Sequence, residues 1–347
     1  MKNKSKIVQN VLILLMAVVF TVTALGTAQA GTFQIPAKGN KKIKIGVLDL
    51  ISAIEVAALA NGYYRQYAKE RGWDIQIFDI GGDVAKAPAV MENMITAGYD
   101  AIIINWTDFK YIEKQILKAH ERGIPVQGIA CGNIVPGVVA HGAAPDAAMG
   151  AMSAMYLGAK LLPGDKVLAY HDPRAQNSVF RFNVAKATLE NSKIKIAQEM
   201  HTTATGGDFA QKGYEEIKNA LLADRNKEIK GIWTHWEGFG IPAAKAAQDM
   251  NRPDIIVVTI DDSPNTYKVL RELPNLHATA GNLWACYEWT NLMFRTLDKI
   301  FAGKPVRDMD ITFTLPNLIT KDNLPPPGYY FSHFGYKNRK PDFKVVK

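Results

Sequence analysis

Short apolar runs rich in Ile and Val alternate along this chain with longer segments whose apolar residues recur at helical spacing. Nine runs read as strands: 43–48, 74–78, 101–104, 126–129, 166–170, 195–200, 231–234, 255–260 and 276–280. The segments between them carry the helical period, as in 53–71, where Val56, Leu59, Tyr63 and Tyr67 recur on one face. Such alternation predicts an α/β fold of parallel strands joined by crossover helices. Gly72, Gly98 and Gly123 each stand just past a predicted helix and just before a strand, where a left-handed residue ends a helix.

The pattern divides into two stretches, roughly 43–144 and 145–281, each a complete unit of four or more strands. Ahead of them lie Lys2, Lys4 and Lys6, the apolar run Val11 to Phe20, and the small-residue site Ala28-Gln29-Ala30. This is the layout of a cleaved secretory signal peptide over 1–30, and Thr21 and Thr23 interrupt the run as they would not in a membrane anchor. With no Cys after the run to carry a lipid, a free protein in a Gram-negative periplasm is expected. Setting residues 1–30 aside leaves 317 of 347 residues, too many for one ordinary core and suited to two lobes. The three lysines removed with them lower the formal net charge from +8 to +5, without a basic stripe, so nucleic acid is not an expected partner. Cys131 and Cys286 lie far apart in sequence; an oxidising compartment permits a bridge between them without demanding one, and two buried free thiols are the favoured reading.

The usual signatures of α/β enzymes are missing: no G-x-S-x-G, no G-x-G-x-x-G after the first strand, no phosphate loop. The seven histidines never fall at helical i, i+4 spacing and no C-x-x-C exists, so neither a metal site nor a cofactor is expected. One stretch, THWEGFG at 234–240, gathers a His, a Trp and a Glu. His235 and Glu237 alternate along a segment read as extended and so form a candidate acid/base pair, though sequence neighbours of this kind arise often by chance. Trp236 directly follows a strand, and ligands of open α/β sheets bind outside the carboxyl ends of strands. Asn105-Trp106-Thr107-Asp108, Asp261-Asp262, and Asn282 with Trp284 occupy equivalent positions. Trp, Asp and Asn converging from several strand ends describe a pocket for a monosaccharide or polyol, whose C–H faces stack on rings while carboxylates take its hydroxyl protons.

With AIIINWTD at 101–108, GIPV at 123–126, Gly207-Asp208-Phe209, IIVVTIDDSP at 255–264 and LITKDNL at 318–324, the chain resembles the type I periplasmic solute-binding proteins. Within these it resembles the ribose- and xylose-like sugar-binding family of ABC importers. The resemblance implies two Rossmann-like lobes with parallel sheets, joined by a three-crossing hinge and closing on a ligand in the cleft. It implies an N-terminal lobe of 43–144 plus 282–306, a C-terminal lobe of 145–281 plus 307–324, and a C-terminal extension at 325–347. Carried over by position, Arg181 matches a donor to sugar hydroxyls, Phe209 a pocket aromatic, Asp261 a hydroxyl-binding carboxylate and Asn282 an amide beside the hinge. Trp236 stands where the family often has Asn.

The first lobe departs from the family. Its stacking aromatics are replaced by Ile51 to Val56, and its Asp-Arg pair by Ala130 to Asn133. Trp106, Trp236 and Trp284 are expected to rebuild the wall, and Asp49, Glu55 or Asn133 the polar contacts. The resemblance thus implies a non-enzymatic receptor delivering a sugar or polyol to an ABC permease. Its rivals are a signalling receptor of the autoinducer-2 kind, partnered by a chemoreceptor or sensor kinase, and a periplasmic hydrolase or lyase.

Overall fold

The computed structural model describes residues 31–39, 41–204, 207–283 and 285–327, with two short strands beyond them, Tyr330–Phe331 and Asn338–Arg339. The expected signal peptide, Trp284 and most of the C-terminal extension lie outside the described residues.

A lead-in strand β1 (Thr32–Phe33) is followed by β2 (Lys44–Asp49), α1 (Glu55–Glu70), β3 (Asp74–Asp79), α2 (Ala87–Thr96), β4 (Ala101–Asn105), α3 (Glu113–Glu121), β5 (Val126–Ile129) and β6 (Val138–Ala143). The chain continues with α4 (Asp146–Lys160), β7 (Lys166–His171), α5 (Gln176–Asn191), β8 (Lys195–His201), α6 (Phe209–Ala223), β9 (Ile229–Thr234) and α7 (Glu237–Asp249). It then forms β10 (Ile256–Ile260), α8 (Pro264–Glu272), β11 (Leu276–Gly281), α9 (Ala285–Phe301), β12 (Val306–Arg307), β13 (Asp310–Phe313) and β14 (Asn317–Thr320).

Two six-stranded sheets result, ordered β13-β6-β5-β4-β2-β3 and β14-β11-β10-β9-β7-β8. Every pairing within them is parallel except that of β14 with β11. Parallel sheets need cover on both faces, and the strand AIIIN shows how one run supplies it. Ala101 and Ile103 face a core with Tyr64, Met293 and Phe294, while Ile102 and Ile104 face another with Met91, Met94 and Phe109. The second sheet divides likewise, with Leu168, Tyr170 and Phe239 on one side and Val167, Ala169 and Trp233 on the other.

All nine strands expected from the apolar runs are present, and Gly72, Gly98 and Gly123 adopt φ of 66°, 69° and 68° as their turns require. β6 escaped the apolar pattern because VVAHGA, though six residues long, is built from small residues and a His in place of an Ile-rich run. Gly142 within it has no room for a side chain, since a Cβ would run into the Trp289 ring of α9. The lobes exchange chain three times: after β6, after β11 and after β13. One boundary differs from expectation. The resemblance implies 307–324 in the second lobe, but β13 pairs with β6 in the first sheet and only β14 joins the second. Cys131 and Cys286 are both buried and free.

Candidate functional site

The same strand order recurs in both sheets: the second strand lies to one side of the first and the third to the other. The order reverses between β2 and β4 and between β7 and β9, and a crevice opens at such a reversal. Asp49, Trp106, Asp172 and Trp236 stand at those strand ends.

In the second lobe the centre is Arg181, on the second turn of α5 and only 4% exposed. Its Nε donates to Asp146 Oδ1 (2.7 Å), and its Nη1 to the His235 carbonyl (2.9 Å) and Asp261 Oδ2 (2.6 Å). Nη2 donates to Asp261 Oδ1 at 3.2 Å. Four of the five N–H groups of the guanidinium are therefore taken by protein. Burial works against its charge, but Asp261 and Asp146 outweigh that and hold Arg181 protonated well above its ordinary range. The resemblance had offered Arg181 as a donor to solute. The geometry makes it foremost the anchor of a bidentate carboxylate, with Asp261 turned outward and its side chain 29% exposed.

Asp261 has φ of +67°, Trp106 +53° and Ala130 +49°, and each directly follows a strand that ends at the crevice. Side-chain-bearing residues hold this conformation at some cost, of order 1 kcal/mol or more each. The cost re-aims the chain just where side chains must turn toward the cleft.

Trp236 precedes α7 with extended backbone (φ −157°, ψ 145°). Its ring meets Phe209 edge-on (5.6 Å, 83°) and Phe239 likewise (5.6 Å, 85°). Gly238 makes this possible, because a Cβ there would strike the Trp236 ring; a Cβ at Gly240 would strike Thr259 of β10. The two glycines of THWEGFG thus let an indole fold back and a helix sit close on its sheet.

The candidate acid/base pair does not form as expected. Glu237 is the first residue of α7 instead of continuing an extended segment, and no hydrogen bond joins it to His235 among the described residues. The His235 ring packs with Nδ1 3.4 Å from the Tyr170 carbonyl, and burial together with the Arg181 charge lowers its pKa to about 3. So weak a base takes few protons near neutrality. Glu237 is buried, its Oε2 has no partner among the described residues, and burial first, Asp261 second, raise its pKa well above the carboxylate range. In its protonated form, which burial favours, it can donate as well as accept.

The first-lobe candidates are arranged differently. Asp49 is fully enclosed, accepting from Ser52 Oγ and Asn61 Nδ2 at 2.6 Å each, and burial raises its pKa. Its Oδ1 has no partner among the described residues. Trp106 is half-buried against the first-lobe core. Glu55 is exposed and accepts from the Asn265 amide of α8 at 3.4 Å, across the lobes. Asn133 also works across the lobes, but through its backbone: its N–H donates to Gln176 Oε1 (3.3 Å) while its side chain is exposed. Asn282 lies at the second crossing and donates to Thr314 Oγ1 (2.8 Å) at the third.

Asp146 and Tyr111, absent from the expected set, help complete the site together with Asp108 of the third strand end. Asp146 grips Arg181; Asp108 Oδ2 accepts from the Gln176 amide (3.0 Å) across the lobes; Tyr111 donates its hydroxyl to the Arg174 carbonyl (2.9 Å). Asp146 follows a Pro and opens a helix, so in sequence it reads as an ordinary first-turn acid.

Comparison with known proteins returns a consistent set. The family described as periplasmic binding protein domain matches residues 52–305. The ribose import binding protein RbsB of Bacillus subtilis (strain 168) is 23% identical over 242 residues, spanning 67% of this chain and 75% of that protein. Among solved structures, the sugar ABC transporter from Yersinia enterocolitica subsp. enterocolitica 8081 is 20% identical with a TM-score of 0.74, covering 84% of this chain and 87% of that one. The Caulobacter myo-inositol binding protein bound to myo-inositol has 18% identity and a TM-score of 0.72, covering 82% and 95%.

Proposed function

From the premise that this chain belongs to the periplasmic binding protein family, we propose that it is the solute-capturing component of an ABC importer for a neutral monosaccharide or polyol. The single observation that carries the ligand class is the charge balance around Arg181. Asp146 and Asp261 already neutralise the guanidinium, and Glu237 stands beside Asp261. An anionic solute would meet acceptors there and little free positive charge. Hydroxyls suit it, since each can donate to a carboxylate and accept from a protonated acid. Trp236, backed by Phe209 and Phe239, offers an apolar face for the C–H side of a ring. The names of the relatives, which bind ribose and myo-inositol, agree with this class.

In this reading Arg181, Asp261, Trp236 and Phe209 hold the solute from the second lobe. Asp49, Trp106, Glu55 and Asn133 complete the opposite wall, and Asn282 serves the hinge. Closure is read by a permease, or in a sensory role by a chemoreceptor or sensor kinase, because only a solute bridging both lobes favours the closed form. The protein performs no chemistry on its cargo. Residues 1–30 direct it to the periplasm and are removed.

Calorimetry of the mature protein against sugars, polyols, sugar phosphates and sugar acids tests the proposal. A neutral sugar or polyol should bind with micromolar or tighter affinity, be recovered unchanged, and bind at least about tenfold more weakly to Asp261→Asn, the loss expected for a charged hydrogen bond of about 1.5 to 3 kcal/mol. Binding of phosphorylated or acidic sugars alone would overturn the ligand class. Conversion of the solute would overturn the receptor reading.

A further inference from the structure

At its open edge the second sheet pairs β8 in parallel with β7, so that His171 stands opposite His201 and Ala169 opposite Glu199. Glu199 and His201 are two residues apart on a strand and therefore point to the same side. The result is a cluster outside the solute site. His171 Nε2 lies 3.0 Å and His201 Nε2 3.1 Å from the same Glu199 oxygen, and the three donor atoms all fall within 4.8 Å of one another. His171 is buried and stacked flat on Phe182 (4.1 Å, 7°), which fixes its ring. His201 and Glu199 are exposed, and Lys186 approaches the second Glu199 oxygen at 3.9 Å.

We propose that His171, Glu199 and His201 form a binding site for a late first-row divalent cation, zinc foremost, on the outer edge of the second lobe. Two imidazoles and one carboxylate, with positions left for water, are a ligand set that such ions accept. Bonds of about 2.0 to 2.2 Å in a tetrahedron put donor atoms about 3.3 to 3.5 Å apart. The two pairs made by Glu199 are already within a few tenths of an ångström of that spacing. His171 is the preset ligand, and the exposed His201 and Glu199 are the ones free to adjust. A cation would replace the imidazole protons that now point at Glu199. It would also tie the edge strand to the end of β7, from which the chain enters the turn carrying the Arg174 carbonyl that receives Tyr111. The site does not depend on what the cleft carries.

The test uses the mature protein, without a histidine tag and stripped with chelator, titrated calorimetrically with zinc chloride alone near neutral pH. One zinc per chain is expected. His201→Ala and Glu199→Gln should each weaken it at least about tenfold, the loss that even an outer-sphere change produces. His277→Ala on β11 and Asp261→Asn in the cleft should leave it unchanged. Cobalt in place of zinc should show the visible absorption of a four- or five-coordinate ion. His201 and Glu199 are exposed, so both variants should melt like the wild type in chelator. Failure to take up zinc, or equal uptake by wild type, His201→Ala and Glu199→Gln, would overturn the proposal and leave a hydrogen-bonded His-Glu-His cluster.

Discussion

The two crevice ends share one strand order and differ in nearly everything else. In the first lobe the strand ends close over hydrogen-bonded groups joined without an ion pair: Asp49 held by Ser52 and Asn61, Tyr64 bonded to Asn105 (2.7 Å), and the Cys131 amide bonded to the His141 ring (3.1 Å). In the second, a buried guanidinium is caught between two carboxylates beside an aromatic cluster. A fold repeated twice thus carries paired charges at one crevice end and hydrogen bonds without ion pairs at the other. The contrast teaches that charge can be buried only where it is paired.

The sharpest way to break this comparison is Arg181→Ala, which strands Asp146 and Asp261 without their counter-charge. Removing one partner of a buried pair costs about 3 to 5 kcal/mol, read as a lowered urea midpoint of the second lobe. Arg181→Lys should recover little, because a point charge cannot serve Asp146 and the two oxygens of Asp261 together. A cost below about 1 kcal/mol, the worth of an exposed pair, would mean that the cluster is solvated and the two lobes are alike.

Acid sharpens the comparison next. Burial lowers the His141 pKa to about 4 from 6.5. Between those values the unfolded chain binds a proton that the folded chain refuses, so its contribution is complete above pH 6.5 and is lost as pH falls toward 4. The slope is at most about 1.4 kcal/mol per pH unit for one group. In the second lobe two effects oppose one another: His235, lowered to about 3, loses stability on acidification, while Asp262, raised by burial to about 6 from 3.8, gains it as pH falls through that window. Asp49 in the first lobe, raised by burial, opposes His141 in the same sense, so thermal denaturation from pH 7 to 4 reads the His141 contribution as the difference in slope between the wild type and a variant. His141→Gln, which keeps an acceptor for Cys131, should flatten that slope.

The smallest effect concerns how the lobes meet. Gln176→Ala removes the acceptor for the Asn133 amide and leaves the backbone bond to Asp108. One such bond is worth about 1 kcal/mol, so the closed form should lose about fivefold in population, measured by small-angle scattering with and without solute. An unchanged envelope would mean that this contact does not report closure.

The elements formed by local pattern were legible in advance: nine strands and the turn glycines came from periodicity alone. β13 was not, because Asp310 to Phe313 is a strand only through its partner β6, about 170 residues earlier. The site was legible as a set of strand ends. Its wiring was not, since Arg181 and Asp261 are 80 positions apart and nothing in either segment announces the other. The His171 and His201 cluster escaped for a related reason. A search at helical spacing cannot see donors brought together by strand register.

Asp262 adds a last consequence. Its Oδ1 accepts from the Leu283 amide at 2.8 Å, and a Cβ at Gly281 would collide with it, so the carboxylate lies directly on the second crossing. One residue on, Asn282 is bonded to Thr314 of the third. Two of the three connecting ribbons are thereby laminated into one bar, anchored at its second-lobe end. Ribbons so joined resist twisting apart, so any hinge rotation that keeps the Asn282 bond must carry both of them together.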